Sequence, residues 1–244
     1  MTTDVTTAGR PSTGPGRGTG RTAGWPVPAA LIALSAVPLT AGTLRLVQLG
    51  GGPELIPADD RFSGFPAALV VHIVASAVFA LVGAFQLVAG FRRRHRTWHR
   101  RAGRVVGVAG LLVAGSALWM TLRYAPQSGT GDLLYVLRLV FASSMASSLV
   151  LGISAIRRRD LAAHRAWMIR AYAIGMAAGT QVFTEGLGEA AFGEGELRGD
   201  LAKGAGWAIN LLVAEYAIRR AATRPRRTRR PWSLGRPRDA GVVS

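Results

Sequence analysis

The chain has 244 residues, 49% of them hydrophobic, and a formal net charge of +17 at pH 7. Its apolar residues form runs of about twenty, the length that a helix needs to cross a bilayer. Most of its basic residues, 29 of 30 being arginine, stand near the ends of these runs. Such a placement is typical of membrane insertion and argues against a nucleic-acid partner. The chain contains no cysteine, which excludes disulfides and cysteine-ligated metal sites.

In chain order, the pattern predicts an all-α integral membrane protein with a bundle of about six transmembrane helices between two tails. The tails, 1–24 and 221–244, are rich in Gly, Pro, Thr and Arg, and both are predicted to be disordered. The helical domain is predicted to cover 25–220. Its spans are predicted at about 26–49, 65–91, 103–122, 133–156, 161–192 and 204–218.

The basic residues also predict the orientation. The two tails, the adjoining Arg219 and Arg220, and the loops 92–104 and 157–170 together contain 24 of the 30, whereas the opposite side contains six, with most of the acids. Under the positive-inside rule, both termini are expected to be cytoplasmic, with the protein in an inner membrane. The lipid bilayer is therefore its first expected partner.

One motif occurs twice, as RRRHRTWHRR from Arg92 and as RRRDLAAHRA from Arg157, 65 residues later. We interpret the second and third spans, and then the fourth and fifth, as two parallel copies of one hairpin. Duplication remains a hypothesis, because the positive-inside rule alone also produces two arginine clusters. Thr97 and Asp160 are predicted N-caps, which would place His99 and His164 in the first turns of two helices.

These histidines belong to a predicted polar cavity on the cytoplasmic side. Two neutral imidazoles at one depth would suit a bis-histidine haem, although both lie nearer the membrane edge than is usual for a b-type haem. An anion such as a lipid headgroup would suit the same helix N-termini and arginines. The third alternative is structural, with the histidines capping helices. The predicted ligand-binding residues are His99, His164, Arg104, Arg170, Asn210 and Glu215.

A second polar cluster is predicted near the outer ends of the helices, from His72, Arg138, Glu185 and Glu189. One alternative is a proton-handling or metal-binding cluster of a histidine and two carboxylates. The other is a Glu–Arg and Glu–His network that fixes helix packing. No second histidine is expected at the depth of His72, which excludes a bis-histidine haem there. Five tryptophans are interpreted as an aromatic belt at the interfaces: Trp25, Trp98, Trp119, Trp167 and Trp207.

Several stretches resemble one family of predicted bacterial membrane proteins, that of domain of unknown function 2306. They are His72 with GAFQ at 83–86, WHRRAGR at 98–104, AAHRAWMIRAYA at 162–173 and NLLVAEYAIRR at 210–220. The resemblance covers about 65–220 and implies a multi-span membrane protein of the bacterial inner membrane. It supports Trp167 and most of the candidate site residues as family positions, and it implies no reaction.

The leading functional prediction is a binding or transport-type membrane protein whose ligand is an anionic lipid or another small molecule. The alternatives are a b-type haem redox protein with His99 and His164 as axial ligands, and an accessory protein whose polar residues only hold helices together. The sequence contains no catalytic motif that would assign an enzyme activity. It leaves the oligomeric state open.

Overall fold

The computed structural model describes residues 26–57, 59, 61 and 66–223. Within these ranges the protein consists of eight α-helices without a strand, which confirms the all-α prediction. Apart from 221–223, the predicted tails lie outside the described residues. The helices are α1 (Pro26–Leu49), α2 (Ala67–Gln86), α3 (Ala89–Arg94), α4 (Arg96–Arg123), α5 (Asp132–Arg157), α6 (Leu161–Gly175), α7 (Ala177–Phe192) and α8 (Glu196–Ala222).

Four helices of the described part are long and apolar enough to cross a membrane, namely α1, α2, α4 and α5. The first has the bounds that the sequence predicted. The count of about six spans is not confirmed. The predicted fifth span is divided at Met176 into α6 with 15 residues and α7 with 16. The predicted sixth span lies within α8, which begins eight residues earlier in a charged segment at Glu196.

The packing follows the predicted hairpins. The most extensive helix contacts are those of α2 with α4 and of α5 with α6, while α8 packs against α5, α6 and α7. The turn between α2 and α4 contains α3, whereas the turn between α5 and α6 spans only 158–160. These two turns form what we call the arginine-rich end of the bundle. The loop 124–131 and the α7–α8 turn lie at the opposite end.

The two repeated histidines occupy equivalent helix positions. His99 and His164 are each the fourth residue of their helix, and their backbone N–H groups bond the carbonyls of the N-cap residues His95 and Asp160. The predicted N-cap Asp160 is confirmed, because its Oδ1 accepts hydrogen bonds from the backbone amides of Ala162 and Ala163. The predicted cap Thr97 is wrong. This residue lies inside α4, which begins one residue earlier.

The core lies between α2, α4, α5 and α6 and is centred on two aromatic side chains. Phe79 is 2% exposed, and its ring centroid lies 5.4 Å from that of Tyr172. The hydroxyl of Tyr172 donates a hydrogen bond of 2.8 Å to the carbonyl of Ala80. Gly83 permits this approach, because a Cβ at that position would collide with the tyrosine ring. The core thus ties α6 of the second hairpin to α2 of the first.

The break between α6 and α7 is stabilised from α8. Asn210 Nδ2 donates a hydrogen bond of 3.0 Å to the carbonyl of Ala173. The amide four residues later, which would donate to this carbonyl in a continuous helix, is that of Ala177 and already belongs to α7. Asn210 Oδ1 accepts from the hydroxyl of Thr180 in the first turn of α7, at 2.7 Å. One amide side chain therefore bonds both sides of the break and satisfies a carbonyl near a helix end.

Candidate ligand-binding site

A cavity of about 700 Å³ lies at the end of the bundle opposite the arginine-rich end. Its wall combines residues of α2, α4, α5, α6, α7 and α8 with the loop that follows α4. The wall contains apolar and polar groups in similar amounts. A cavity of this size is large enough for a small molecule. The polar groups include His72, Arg138, Gln181 and Lys203, with Asp132 and Glu196 in the first turns of their helices.

His72 contributes an imidazole whose tautomer can be assigned. Its Nδ1 lies 3.0 Å from the hydroxyl oxygen of Ser116, and this hydroxyl in turn lies 2.6 Å from the carbonyl of Leu112. Because the carbonyl can only accept, the serine proton points towards it, and Nδ1–H of His72 donates to the serine oxygen. Neutral His72 therefore keeps the lone pair on Nε2, which has no hydrogen-bond partner among the described residues.

Arg138 of α5 lines the same cavity wall as His72 of α2. It is half-buried on α5, and within the described ranges its guanidinium makes no hydrogen bond or ion pair. Its electrostatic neighbours are Arg61, Asp200 and Glu185. His72 and Arg138, which were predicted to lie in one polar cluster, both line this cavity.

The two predicted glutamates have other surroundings. Glu185 forms an ion pair of 2.6 Å with Lys203 of α8, and the amide of Gln181 donates to the Lys203 carbonyl. Glu189 is exposed. No group of three or more potential metal ligands occurs in the described part. Within the described ranges, the two glutamates make no ion pair with Arg138 and no hydrogen bond with His72, so the outer cluster stays a prediction.

Asp200 holds the start of α5 and was not singled out by the sequence analysis. It is 1% exposed, and its Oδ2 accepts backbone hydrogen bonds from Gly131 at 3.1 Å and Leu134 at 3.0 Å. It thus acts as an N-cap supplied by another helix. Trp207 was interpreted as part of the aromatic belt, and that interpretation stays a prediction. It lines the cavity and stacks on Phe141 with ring centroids 4.7 Å apart.

At the arginine-rich end, His164 has an assignable tautomer as well. Its Nδ1 lies 2.8 Å from the carbonyl oxygen of Gly152, so Nδ1 carries the proton and neutral His164 keeps its lone pair on Nε2. His99 differs, because its Nδ1 is buried without a hydrogen-bond partner in the described part. The side-chain amide of Gln86 is in the same situation. It lies beside Gly103, one turn beyond His99 on α4.

Positive charge is concentrated around these groups. His99 has Arg92 and His164 as electrostatic neighbours. Burial and the charges of Arg165 and Arg93 lower the pKa of Arg92. The Arg92 side chain of α3 therefore lies in the electrostatic range of side chains in the first turns of α4 and α6. Asp160 is the one acid in the stretches 92–104 and 157–170, and it already caps α6.

The other residues of the predicted cytoplasmic cavity have partners or lie elsewhere. Arg170 pairs with Glu215 through two hydrogen bonds of 2.5 and 3.1 Å, and its guanidinium lies 4.6 Å from the ring centroid of Trp167. Asn210 bonds both sides of the break between α6 and α7. Arg104 is exposed and lines a separate apolar groove of about 610 Å³ between α2 and α4. Neither this groove nor the large cavity is lined by His99 or His164, so the predicted cytoplasmic cavity stays a prediction.

Comparison with known proteins identifies the family. No curated protein and no solved structure matches the chain. A family model described as a predicted membrane protein, domain of unknown function 2306, matches residues 69–218. The match covers more than half of the chain and reaches from α2 into α8, so it contains both candidate sites and confirms the resemblance seen in the sequence. The chain therefore belongs to the family of predicted membrane proteins with domain of unknown function 2306.

Proposed function

We propose that this membrane protein binds a small amphipathic molecule in the cavity of about 700 Å³ that His72 and Arg138 line. The observation that carries the proposal is this cavity itself, in which a guanidinium and an imidazole nitrogen have unused hydrogen-bonding capacity. The proposal keeps the binding or transport-type function predicted from the sequence. It assigns the ligand to the end of the bundle opposite the predicted cytoplasmic cavity.

The wall of the cavity supports an amphipathic ligand rather than a purely polar one. Phe141, Ala142 and Met145 follow Arg138 at helical spacings of three, four and seven residues, so they share one face of α5. All four residues line the cavity. A ligand on this face would meet a cation first and then an apolar surface.

We expect a tryptophan at position 142 to fill the cavity and abolish binding. Ala142 is 8% exposed and lines the wall, so a larger side chain there would occupy ligand space. Full-length protein in phosphatidylcholine nanodiscs would be heated with 1-hexanol, hexanoate or hexylamine. We expect at least one probe to raise the unfolding midpoint of the wild type by a few degrees and that of Ala142→Trp by much less.

Ser143→Trp is the matched control, because Ser143 is the next residue of α5 and is exposed. It should respond to the probes as the wild type does. If no probe stabilises the wild type, or if Ala142→Trp responds equally, the proposed binding function is wrong.

We further propose that the chain crosses an inner membrane six times, with both termini in the cytoplasm and the cavity facing outwards. In this arrangement α6 and α7 together form the fifth crossing and α8 the sixth. The distribution of arginines supports it. Because the chain lacks cysteine, Ser128→Cys and Thr223→Cys would each give a single label site. A membrane-impermeant maleimide should label the first in intact cells and the second only after lysis, and the reverse result would invert the orientation.

A second candidate function is that of a b-type haem redox protein with His99 and His164 as axial ligands. The tautomer of His164 favours it, because an Nδ1–H bonded to a carbonyl is the usual support of a ligating Nε2. Arg92 and Arg165 would be near enough for the propionates, and the haem would supply one-electron chemistry. The absorption spectrum of purified protein, oxidised and dithionite-reduced, tests it. A Soret band should disappear in both His99→Ala and His164→Ala, and a flat visible spectrum after expression with ample haem eliminates this candidate.

A further inference from the structure

Arg138 stands out among the charged groups around the cavity, and the inference drawn from it rests on the proposed binding function. It is the seventh residue of α5, which places it roughly 9 Å along the helix axis from the first residue. α5 is one of the four helices able to cross a membrane. A charged side chain within such a segment is costly unless it meets a partner or a polar cavity.

Other charges near the cavity are already held by the protein. Lys203 pairs with Glu185 at 2.6 Å. Arg61 forms a bidentate pair with Asp59, and the Arg61 guanidinium holds the pKa of the Asp59 carboxyl below its usual range. The Arg61 and Lys203 charges are thereby balanced, whereas Arg138 has no contacting carboxylate in the described part.

Three acids at this end of the bundle are associated with helix starts. Asp200 caps α5 through two backbone hydrogen bonds. Asp132 and Glu196 lie in the first turns of α5 and α8, where the helix dipole favours a negative charge. Of these acids, Asp200 acts on Arg138 electrostatically, without an ion pair between the two in the described part. The guanidinium therefore remains able to bind another anion.

We infer that the ligand of this cavity carries an oxyanion, a carboxylate or a phosphate, that binds Arg138, and an apolar portion that packs on Phe141 and Met145. A planar guanidinium matches both oxyanions with two parallel N–H···O bonds. His72 faces the same space, and in its assigned tautomer Nε2 accepts a hydrogen bond, for example from a protonated ligand oxygen. The stacked pair of Phe141 and Trp207 provides an aromatic surface for the apolar portion.

The test compares six-carbon probes, including a hexyl chain with a phosphate, that differ in their head groups. Hexanoate and hexyl phosphate represent the two oxyanions, while 1-hexanol and hexylamine represent neutral and cationic ligands. Binding to full-length protein in phosphatidylcholine nanodiscs would be measured by calorimetry, with empty nanodiscs as the baseline. We expect at least one of the two oxyanions to bind about tenfold more tightly than 1-hexanol. The tighter of hexanoate and hexyl phosphate then distinguishes a carboxylate from a phosphate ligand.

Substitutions at position 138 assign this preference to the guanidinium. Arg138→Met retains a long side chain without charge and should weaken oxyanion binding about tenfold or more, with 1-hexanol unaffected. Arg138→Lys retains the charge but not the planar fork and should give an intermediate loss. Retained binding of 1-hexanol shows that a variant is folded. Arg123→Met removes one charge at the same end of the bundle from a residue outside the cavity wall, and it should change no affinity.

The outcomes separate this inference from the proposed function. If 1-hexanol or hexylamine binds as tightly as both oxyanions, or if Arg138→Met preserves the oxyanion preference, the inference is overturned while the cavity remains a binding site. If Ala142→Trp affects the binding of none of the probes, both are overturned. Loss of binding of every probe in both Arg138 variants would make Arg138 a structural residue, which also overturns the inference.

Discussion

Gly179→Ala should lower the thermal unfolding midpoint of this protein, whereas Gly186→Ala on the same helix should leave it unchanged or raise it. A Cβ at position 179 would collide with the backbone carbonyl oxygen of Leu34 and lie 2.8 Å from Leu34 Cγ. A side chain can rotate away from such a clash, but a backbone carbonyl within α1 cannot. The helices α1 and α7 would have to separate, and we expect a loss of about 3 kcal/mol, the upper end of the usual cost of overpacking.

Gly186 provides the matched control because a Cβ there would meet no atom within 4 Å. Replacing it with alanine should raise the free energy of unfolding by up to about 1 kcal/mol, through helix propensity alone. Opposite or clearly different shifts of the two variants are therefore expected. Amide hydrogen exchange should also accelerate throughout α1 in Gly179→Ala, since this helix loses its contact with α7. Equal midpoints for the two variants would contradict the described packing of α1.

The break between α6 and α7 shows why part of the fold could not be predicted. The stretch 161–192 contains no proline and was predicted as one span. The chain is divided at Met176 because Asn210 of α8 bonds both sides of the break. The nearby contact of Gly179 with Leu34 comes from α1. Both interactions join residues far apart in the sequence, and no local pattern reveals them.

The start of α8 explains why the cavity was only partly predicted. Its first turns contain Glu196, Arg198, Asp200 and Lys203, so the apolar pattern predicted a loop up to residue 203. Glu185 was consequently assigned to His72 and Arg138, although its ion-pair partner is Lys203. His72 and Arg138 could be predicted at about the same depth in the bilayer because both lie within strongly apolar runs, where the rise per helical residue fixes the depth of each position. By contrast, the equivalence of His99 and His164 was visible in the sequence, since helix starts follow local signals.

Asp200→Ala should be among the most destabilising single substitutions at the cavity end. The change leaves the amides of Gly131 and Leu134 without their acceptor and removes a negative charge from a helix start. Two charge-assisted hydrogen bonds at a buried site correspond to about 2–4 kcal/mol. Glu194→Ala removes the same charge from an exposed position in the α7–α8 turn and should have little effect. Thermal unfolding in detergent measures both, and equal midpoints would contradict the capping role of Asp200.

Asp200→Asn separates the capping role of this residue from its charge. The asparagine oxygen still accepts backbone hydrogen bonds, so stability should fall by only about 1 kcal/mol. The charge that acts on Arg138 disappears, however, and an oxyanion at Arg138 would no longer be repelled by a buried carboxylate nearby. Asp200→Asn should therefore bind hexanoate or hexyl phosphate more tightly than the wild type while it unfolds at a lower temperature. A purely structural Arg138 would lose its electrostatic neighbour in this variant, which would reduce stability without any gain in oxyanion binding.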